Sequence, residues 1–400
     1  MIREGIMNFE VLSEMWDSES PVSIVVVGIG GGGSNAVNRM IDCGIKGIKF
    51  IAVNTDSQVL RSNKAATKLQ IGSQVTCGRG SGGDPELGEK AALEDKEMIA
   101  KALEGADMVF ITTGMGGGTG TGAAPVIARI AKNQGALTVA VVTKPFDFEK
   151  NYRMNLAEKG IAMLREEVDT LIVIPNQRLL NNVDRKTSIP EAFRRADDVL
   201  RQGVQGISDI ILETGLINID FADAETVMRD QGDALMAIGF GAGDNRVEEA
   251  VSCVLDNPLL EDTSIKGATR ALIYVAGSED LPLVEYDEIV KRITADMNSE
   301  AIIIPGMYLD PNMGDKIRVT VIATGFGAED ESQALELVKV QGKGEVISGR
   351  EFDSMVGSAM KADFLPPRDK RDDYKYANED LDVPTVIRDR RFVSFSNEAI

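Results

Sequence analysis

Residues 114–125 read GMGGGTGTGAAP. The stretch is rich in glycine, uncharged, and holds nothing that could fill a core. An apolar run, ADMVFITTG (106–114), precedes it, and a helix-like run, APVIARIAKNQG (124–135), follows. So much backbone freedom between a strand and a helix has one good physical use. Glycines let backbone N–H groups approach a phosphate closely, Thr119 and Thr121 add hydroxyl donors, and a helix starting near Ala123 aims its positive end at the same point. Gly116, Gly117, Gly118, Thr119, Gly120 and Thr121 are therefore read as a phosphate cradle, with room for Mg²⁺ to supply the missing charge. A flexible linker is the bland alternative, but linkers rarely interrupt a strand–helix unit. The sequence contains no G-x-x-x-x-G-K-[ST], so this is not a P-loop.

Working outward, strand and helix signals alternate. VSIVVVG (22–28) is a continuous apolar run, as a buried parallel strand should be. It ends in GIGGGGSNAV, where Gly28, Gly30 and Gly33 satisfy G-x-G-x-x-G, and Asp56 closes the next strand, IKFIAVNTD (48–56). Alone this dinucleotide fingerprint is weak, because a run of glycines matches many templates. ALTVAVVTKP (136–145) and DTLIVIPN (169–176) continue the pattern of a doubly wound α/β sheet. A long helix is predicted from Ser188 to Gly215, opened by the capping box SIPE and carrying apolar residues at three–four spacing. Strands at 270–277, 301–310 and 316–326 follow, with a helix around EYDEIVKRITADMN. The expected organisation is an N-terminal extension (1–20), a nucleotide-binding domain (21–187), the central helix (188–215), a smaller α+β domain (216–326), a disordered linker (327–380) and a terminal peptide with an extension (381–400).

Composition narrows the function. The net charge of −20 argues against a nucleic-acid partner or a bare anionic membrane, and no run is long and apolar enough to insert directly. The acidic, mixed N-terminus is not a secretory signal, so a cytoplasmic protein is expected. With no histidine in the chain, serine–histidine triads and histidine-bound zinc are excluded. Cys43, Cys77 and Cys253 have no metal-ligand spacing and read as reduced structural thiols.

GGGTGTG, together with GGGGSNAV, NTD (54–56), VTKPFDFE (142–149), IPN (174–176), VQGISDII (204–211) and NIDFAD (218–223), resembles the FtsZ family of tubulin-like GTPases. The resemblance runs from about Val22 to Phe326. It implies a tubulin/FtsZ-like fold, with a Rossmann-type GTP-binding domain joined by the central helix to the α+β domain. It also implies binding of GTP/GDP with Mg²⁺, and hydrolysis coupled to head-to-tail assembly of the division ring at midcell.

The resemblance assigns roles residue by residue. Gly30, Gly31, Gly32 and Asn35 join the phosphate cradle, Asp56 joins the nucleotide site, and Gly82 and Gly83 belong to a loop (78–88) closing over the terminal phosphate. Phe193 and Asp197 lie four apart on one helical face. A ring can stack on a purine, and a carboxylate can accept from guanine's N1–H and N2 amine. On the residues alone, a core phenylalanine and a solvated aspartate remain open. The family places base recognition here, adds Asn176 near base and ribose, and puts Glu149 and Arg153 at ribose and phosphate. No catalytic base lies in the glycine loops. In the family the loop carrying Asn218, Asp220 and Asp223 enters the neighbour's nucleotide site and positions water there, although Asp223 could equally serve only as a helix cap. LDVPTVIRDRR (381–391) resembles the peptide that binds adaptors such as the FtsA membrane tether, here followed by an additional FVSFSNEAI. Two other readings are an NAD-dependent oxidoreductase on Gly28, Gly30 and Gly33, and a nucleotide-binding scaffold that does not hydrolyse.

Overall fold

The computed structural model describes residues 22–179, 188–213, 215–257 and 265–326. The predicted extension, linker and terminal peptide lie outside these residues. In chain order the strands are β1 (Ile24–Ile29), β2 (Ile48–Asn54), β3 (Thr67–Gln70), β4 (Met108–Gly114), β5 (Leu137–Lys144), β6 (Thr170–Pro175), β7 (Gly232–Ala242), β8 (Arg270–Gly277), β9 (Ile302–Leu309) and β10 (Lys316–Thr324). The helices are α1 (Gly30–Asp42), α2 (Ser57–Ser62), α3 (Ser73–Thr76), α4 (Pro85–Glu94), α5 (Lys96–Leu103), α6 (Thr119–Asn133), α7 (Lys150–Arg165), α8 (Asn176–Leu179), α9 (Ile189–Leu212), α10 (Phe221–Met228), α11 (Arg246–Leu255) and α12 (Leu283–Thr294).

The strands form one ten-stranded sheet in the order β3-β2-β1-β4-β5-β6-β7-β10-β8-β9. From β3 to β7 every pairing is parallel, whereas β10 runs antiparallel to both β7 and β8. The β3–β6 half has the doubly wound order, whose direction of winding reverses between β1 and β4. Its central strands are buried along almost their whole length, which is why they read as unbroken apolar runs.

The sheet does not break where the sequence suggested a domain boundary. β7, GDALMAIGFGA, pairs with β6 on one side and β10 on the other. Sequence reading missed it because its glycines blur the alternation, yet they are needed: a Cβ at Gly239 would sit 2.1 Å from Ala250 O and one at Gly241 1.9 Å from Arg246 O. They let α11 lie directly on the strand. One face of the sheet is covered by α9, whose Leu200, Val204, Ile207 and Ile210 are buried with Val141, Ile172, Met236, Tyr274 and Ile322 from both halves. α9 thus spans the junction, with Ala224, Val227 and Met228 of α10 buried in the same cluster.

Three boundaries differ from expectation. α6 begins at Thr119, not Ala123, so the glycine loop itself supplies the first helical turn. Likewise α1 begins at Gly30. Ser188 is the N-cap of α9, but its side chain makes no cap hydrogen bond. Pro190 at the second helical position has no N–H to offer, and the Glu191 N–H is already donated to the Ser188 carbonyl. α9 ends at Leu212, ahead of Gly215, where a Cβ would collide with Met307 O at 2.3 Å. Gly215 therefore serves close approach to β9. The three cysteines are free and exposed, outside the core.

Candidate functional site

The carboxyl ends of β1, β4, β5 and β6 share one edge of the sheet, and a cavity of about 280 Å³ opens there. Its floor is built from two helix starts, α1 after Ile29 and α6 after Gly118, neither with a side-chain cap. The first amides of a helix have no intrahelical acceptor, so both ends present free N–H groups at the winding switch point of the sheet. The two loops touch: Gly30 has φ +69°, and a Cβ on it would lie 2.9 Å from Gly120 N. Gly31, Gly32, Gly117, Gly118, Thr119 and Gly120 line the cavity. A Cβ at Gly31 or Gly117 would meet no protein atom within 4 Å, so at these two positions the missing side chain leaves a space for something else.

The two threonines do different things. Thr119 Oγ1 lies 2.6 Å from Thr55 Oγ1 and 3.1 Å from Ser81 Oγ, at the cavity wall. Thr121 Oγ1 instead accepts from the Gly116 N–H at 2.9 Å, bracing the loop from behind. Gly116, Thr121 and Gly30 therefore shape the cradle without lining it. Asn35 is exposed on α1, and Gly82 and Gly83 stand in open space; none of the three lines the cavity. The 78–88 loop reaches it through Ser81, which sequence reading passed over. Asp56 also lies off the lining, its carboxylate occupied as the N-cap of α2, accepting from Gln58 N at 2.8 Å.

At the far wall stand Phe193, Asp197, Asn176, Glu149 and Arg153, all predicted from sequence, joined by Met115, Thr143, Pro145, Ala196 and Leu200. Phe193 packs edge-on to Phe146 with centroids 5.3 Å apart, and Phe146 stacks on Phe148 at 5.1 Å. Phe193 remains 40% exposed, so part of its ring is available to a ligand. Asn176 is 5% exposed, and its Oδ1 has no hydrogen-bond partner. Burial raises the Asp197 carboxyl to about 6, against the smaller opposing pull of Arg39. A buried amide oxygen without a donor among the described residues and a half-buried carboxylate, beside a half-open ring, fit a planar base that presents donors. Arg153 Nη1 donates to Glu149 Oε2 at 2.5 Å, and Glu149 Oε1 accepts from Phe146 N.

Asn218, Asp220 and Asp223 line no part of this cavity. Asp220 and Asp223 form a reciprocal cap at the start of α10, with Asp223 N donating to Asp220 Oδ1 at 2.8 Å and Asp220 N to Asp223 Oδ2 at 3.3 Å. Asn218 Oδ1 accepts from Gly215 N. The far end of α10 is fixed at the amino edge of the sheet, where Thr170, the first residue of β6, donates to Met228 O. α9, whose 24 residues span roughly 36 Å, carries the chain there from the cavity, and its Leu212 packs beside Gly47 ahead of β2.

A larger cleft, about 620 Å³, lies beside Phe240, Tyr308 and Arg318, but no helix start and no glycine cradle opens into it. Among the described residues no helix is long and apolar enough to cross a membrane.

Residues 23–184 match the family model described as Tubulin/FtsZ family, GTPase domain, and residues 232–327 match FtsZ family, C-terminal domain. The empty FtsZ dimer of M. jannaschii is 45% identical, with 80% of this chain and 92% of that chain covered and a TM-score of 0.73. CetZ2 from Haloferax volcanii, solved as a GTPγS-bound protofilament, shares 20% identity over 80% of this chain and 99% of its own, with a TM-score of 0.64. CetZ1 from the same organism, a GDP-bound monomer, gives 20% and 0.65 over the same shares. At that identity the two CetZ likenesses speak for the fold alone.

Proposed function

The chain belongs to the tubulin/FtsZ family, and from that premise we propose that this filament-forming GTPase assembles the division ring at midcell and hydrolyses GTP at the contact between successive subunits. The observation that carries the shared site is the separation of its parts. The cradle opens at the carboxyl edge of the sheet, and Asp220 and Asp223 head a helix anchored at the amino edge. Head-to-tail stacking brings the carboxylates of one subunit to the phosphates of the next.

In this reading the amides of Gly31, Gly32, Gly117, Gly118, Thr119 and Gly120 hold the phosphates. Arg153 neutralises them, Glu149 takes the ribose hydroxyls, Phe193 stacks on guanine, and Asn176 and Asp197 accept from its edge. Asp220 and Asp223 orient the attacking water, with Asn218 beside them. Among the described residues no three carboxylates or thiols cluster as metal ligands, so Mg²⁺ would be held chiefly by phosphate oxygens, shielding the charge that the cradle leaves over. Residues 381–391 would bind adaptors such as an FtsA-type membrane tether. Sedimentation of the purified protein tests the proposal: pelleting with GTP but not with GDP is expected, together with a rate of phosphate release per subunit that rises with protein concentration. Phosphate release proportional to protein at all concentrations overturns the shared site.

Asp197 makes base recognition pH-dependent. Guanine's donors need the ionised carboxylate, and the free site has its carboxyl at about 6. GTP affinity should therefore be flat above pH 6 and weaken by about tenfold per unit below it, since each unit adds 1.36 kcal/mol to the cost of ionisation. Asp197→Asn should flatten the profile and narrow the preference for GTP over ATP. Equilibrium dialysis between pH 5 and 7.5 decides the matter; an unchanged slope in the variant places recognition elsewhere.

A further inference from the structure

Helix α6 begins in the phosphate cradle and ends, 15 residues later, at a charged node on the opposite edge of the sheet. Lys132 in its last turn faces two carboxylates. Asp169 is fully buried; its Oδ2 accepts from Thr138 N at 2.8 Å, and its Oδ1, without a hydrogen-bond partner, pairs ionically with Lys132 Nζ at 3.1 Å. Lys132 Nζ also donates to Asp230 Oδ1 at 2.7 Å. Asp230 follows Arg229, the C-cap of α10, and has φ +54°, a left-handed conformation that a residue with a side chain rarely adopts unless held. The next two amides, Gln231 and Gly232, both donate to Asp169 O. The exit of α10 is thus fastened to α6 by one ammonium group and to the β6 start by the Asp169 carbonyl and by Thr170, which donates to Met228 O, while Arg229 Nη2 adds a longer bond to Gly135 O at 3.4 Å. Burial alone would lower the Lys132 pKa, but its hydrogen bond to Asp230 and its ion pairing with Asp169 together outweigh that and raise it, so the clamp stays charged.

We infer that Lys132 is a positioning residue for hydrolysis: with Asp230 it holds the exit of α10, and so the Asp220 and Asp223 pair at the helix's other end, in the pose that serves the neighbouring subunit. The inference rests on the shared-site reading above. It makes α6 a rigid strut, about 22 Å long, from one subunit's phosphate cradle to the exit of the helix whose head carries the carboxylates that act on the next subunit's nucleotide. A displacement of about 1 Å in a positioned group costs up to on the order of 10²-fold in rate, so losing the clamp is expected to cost at least about tenfold.

The test uses the full chain with two variants. Lys132→Met removes the clamp but leaves Asp169 buried without its cation, which can unfold the protein. Asp230→Gly removes only the tie to α10, keeps the Lys132–Asp169 pair, and places glycine at φ +54°, a conformation it adopts freely. Each should bind GTP with unchanged affinity, assemble, and hydrolyse about tenfold more slowly; Lys132→Arg should recover much of the rate. The decisive readout is directional. Mixed with Gly117→Val, which supplies an intact loop but binds no nucleotide, either clamp variant should regain hydrolysis of its own GTP. Mixed with Asp223→Ala, which binds nucleotide but must borrow the variant's loop, it should gain nothing. A general folding defect would show no such direction. Unchanged hydrolysis by Asp230→Gly, recovery with Asp223→Ala instead of Gly117→Val, or recovery with both or neither overturns the inference. The control pair, Asp223→Ala with Gly117→Val, keeps the two claims apart: if it stays inactive, the shared site itself has failed and the inference goes with it.

Discussion

Asp223→Ala is expected to bind GTP normally, assemble into longer-lived filaments and lose about 10²–10⁴ of its hydrolysis rate, the usual contribution of a positioned acid–base group. Binding survives because the cradle lies at the other edge of the sheet and contains no atom of residue 223. Filaments persist because the nucleotide is not consumed. The structure adds one complication. Asp223 Oδ2 accepts from Asp220 N, closing the reciprocal cap of α10, so alanine also removes part of a cap at a cost of about 1 kcal/mol. Asp223→Asn separates the effects, since its amide oxygen keeps the cap while the charge is lost. If hydrolysis by Asp223→Asn stays near the wild-type rate, the cap is what matters and residue 223 is not catalytic. Equal loss in both variants assigns the effect to the carboxylate. Mixing Asp223→Ala with Gly117→Val then tests where the carboxylate acts. Neither should hydrolyse alone, and partial recovery in the mixture requires a site shared between subunits. Two folded, co-assembling variants that remain inactive together refute it.

How much of this could be read from sequence depended on whether a signal was local. The parallel strands were legible because burial on both faces makes them continuously apolar, as in IVVVGI of β1 and LTVAVVTK of β5. The cradle was legible because so few uses exist for clustered glycine at a strand–helix junction. The helix starts were not, since helix propensity argues against glycine and the first turns of α1 and α6 are set by packing on β1 and β4. β7 was hidden for a related reason: Gly239 and Gly241 answer to Ala250 and Arg246 of α11, beyond the reach of the strand's own pattern, which they weaken. Ser81 and Thr55 were missed because each becomes informative only when the other and Thr119 are seen together. The family resemblance, not periodicity, selected Phe193 and Asp197 from equally plausible core and surface residues. Only the structure shows the Asp197 carboxyl raised by burial and, among the described residues, Asn176 Oδ1 buried without a donor.

The glycines of the signature divide into those that serve the ligand and those that serve the fold, and substitutions should separate them cleanly. At Gly117 a Cβ would meet nothing within 4 Å, and the residue is not in a left-handed conformation. Gly117→Ala and Gly117→Val should therefore fold with little change in Tm. They fill space that the phosphates need, and at least two amide-to-phosphate bonds should be lost. Hydrogen bonds to charged groups are worth about 1.5–3 kcal/mol each, so GTP affinity should fall by on the order of 10²-fold or more. At Gly122 the opposite holds. A Cβ there would lie 1.9 Å from Pro85 O and 2.7 Å from Glu89 N, both backbone atoms of α4, which packs against α6. Backbone cannot swing aside as a side chain can, so Gly122→Ala should destabilise by on the order of 3 kcal/mol, the upper range for overpacking. Gly118 belongs with Gly122, because its Cβ would stand 2.2 Å from Ser81 Oγ and 2.7 Å from Asp84 N. This is why Gly117 alone, without Gly118, is the right choice for a folded variant that cannot bind nucleotide. Thermal melts and GTP titrations on the same three variants give the answer. If Gly117→Val melts early, or binds GTP as the wild type does, the open face of Gly117 is not where the phosphates sit.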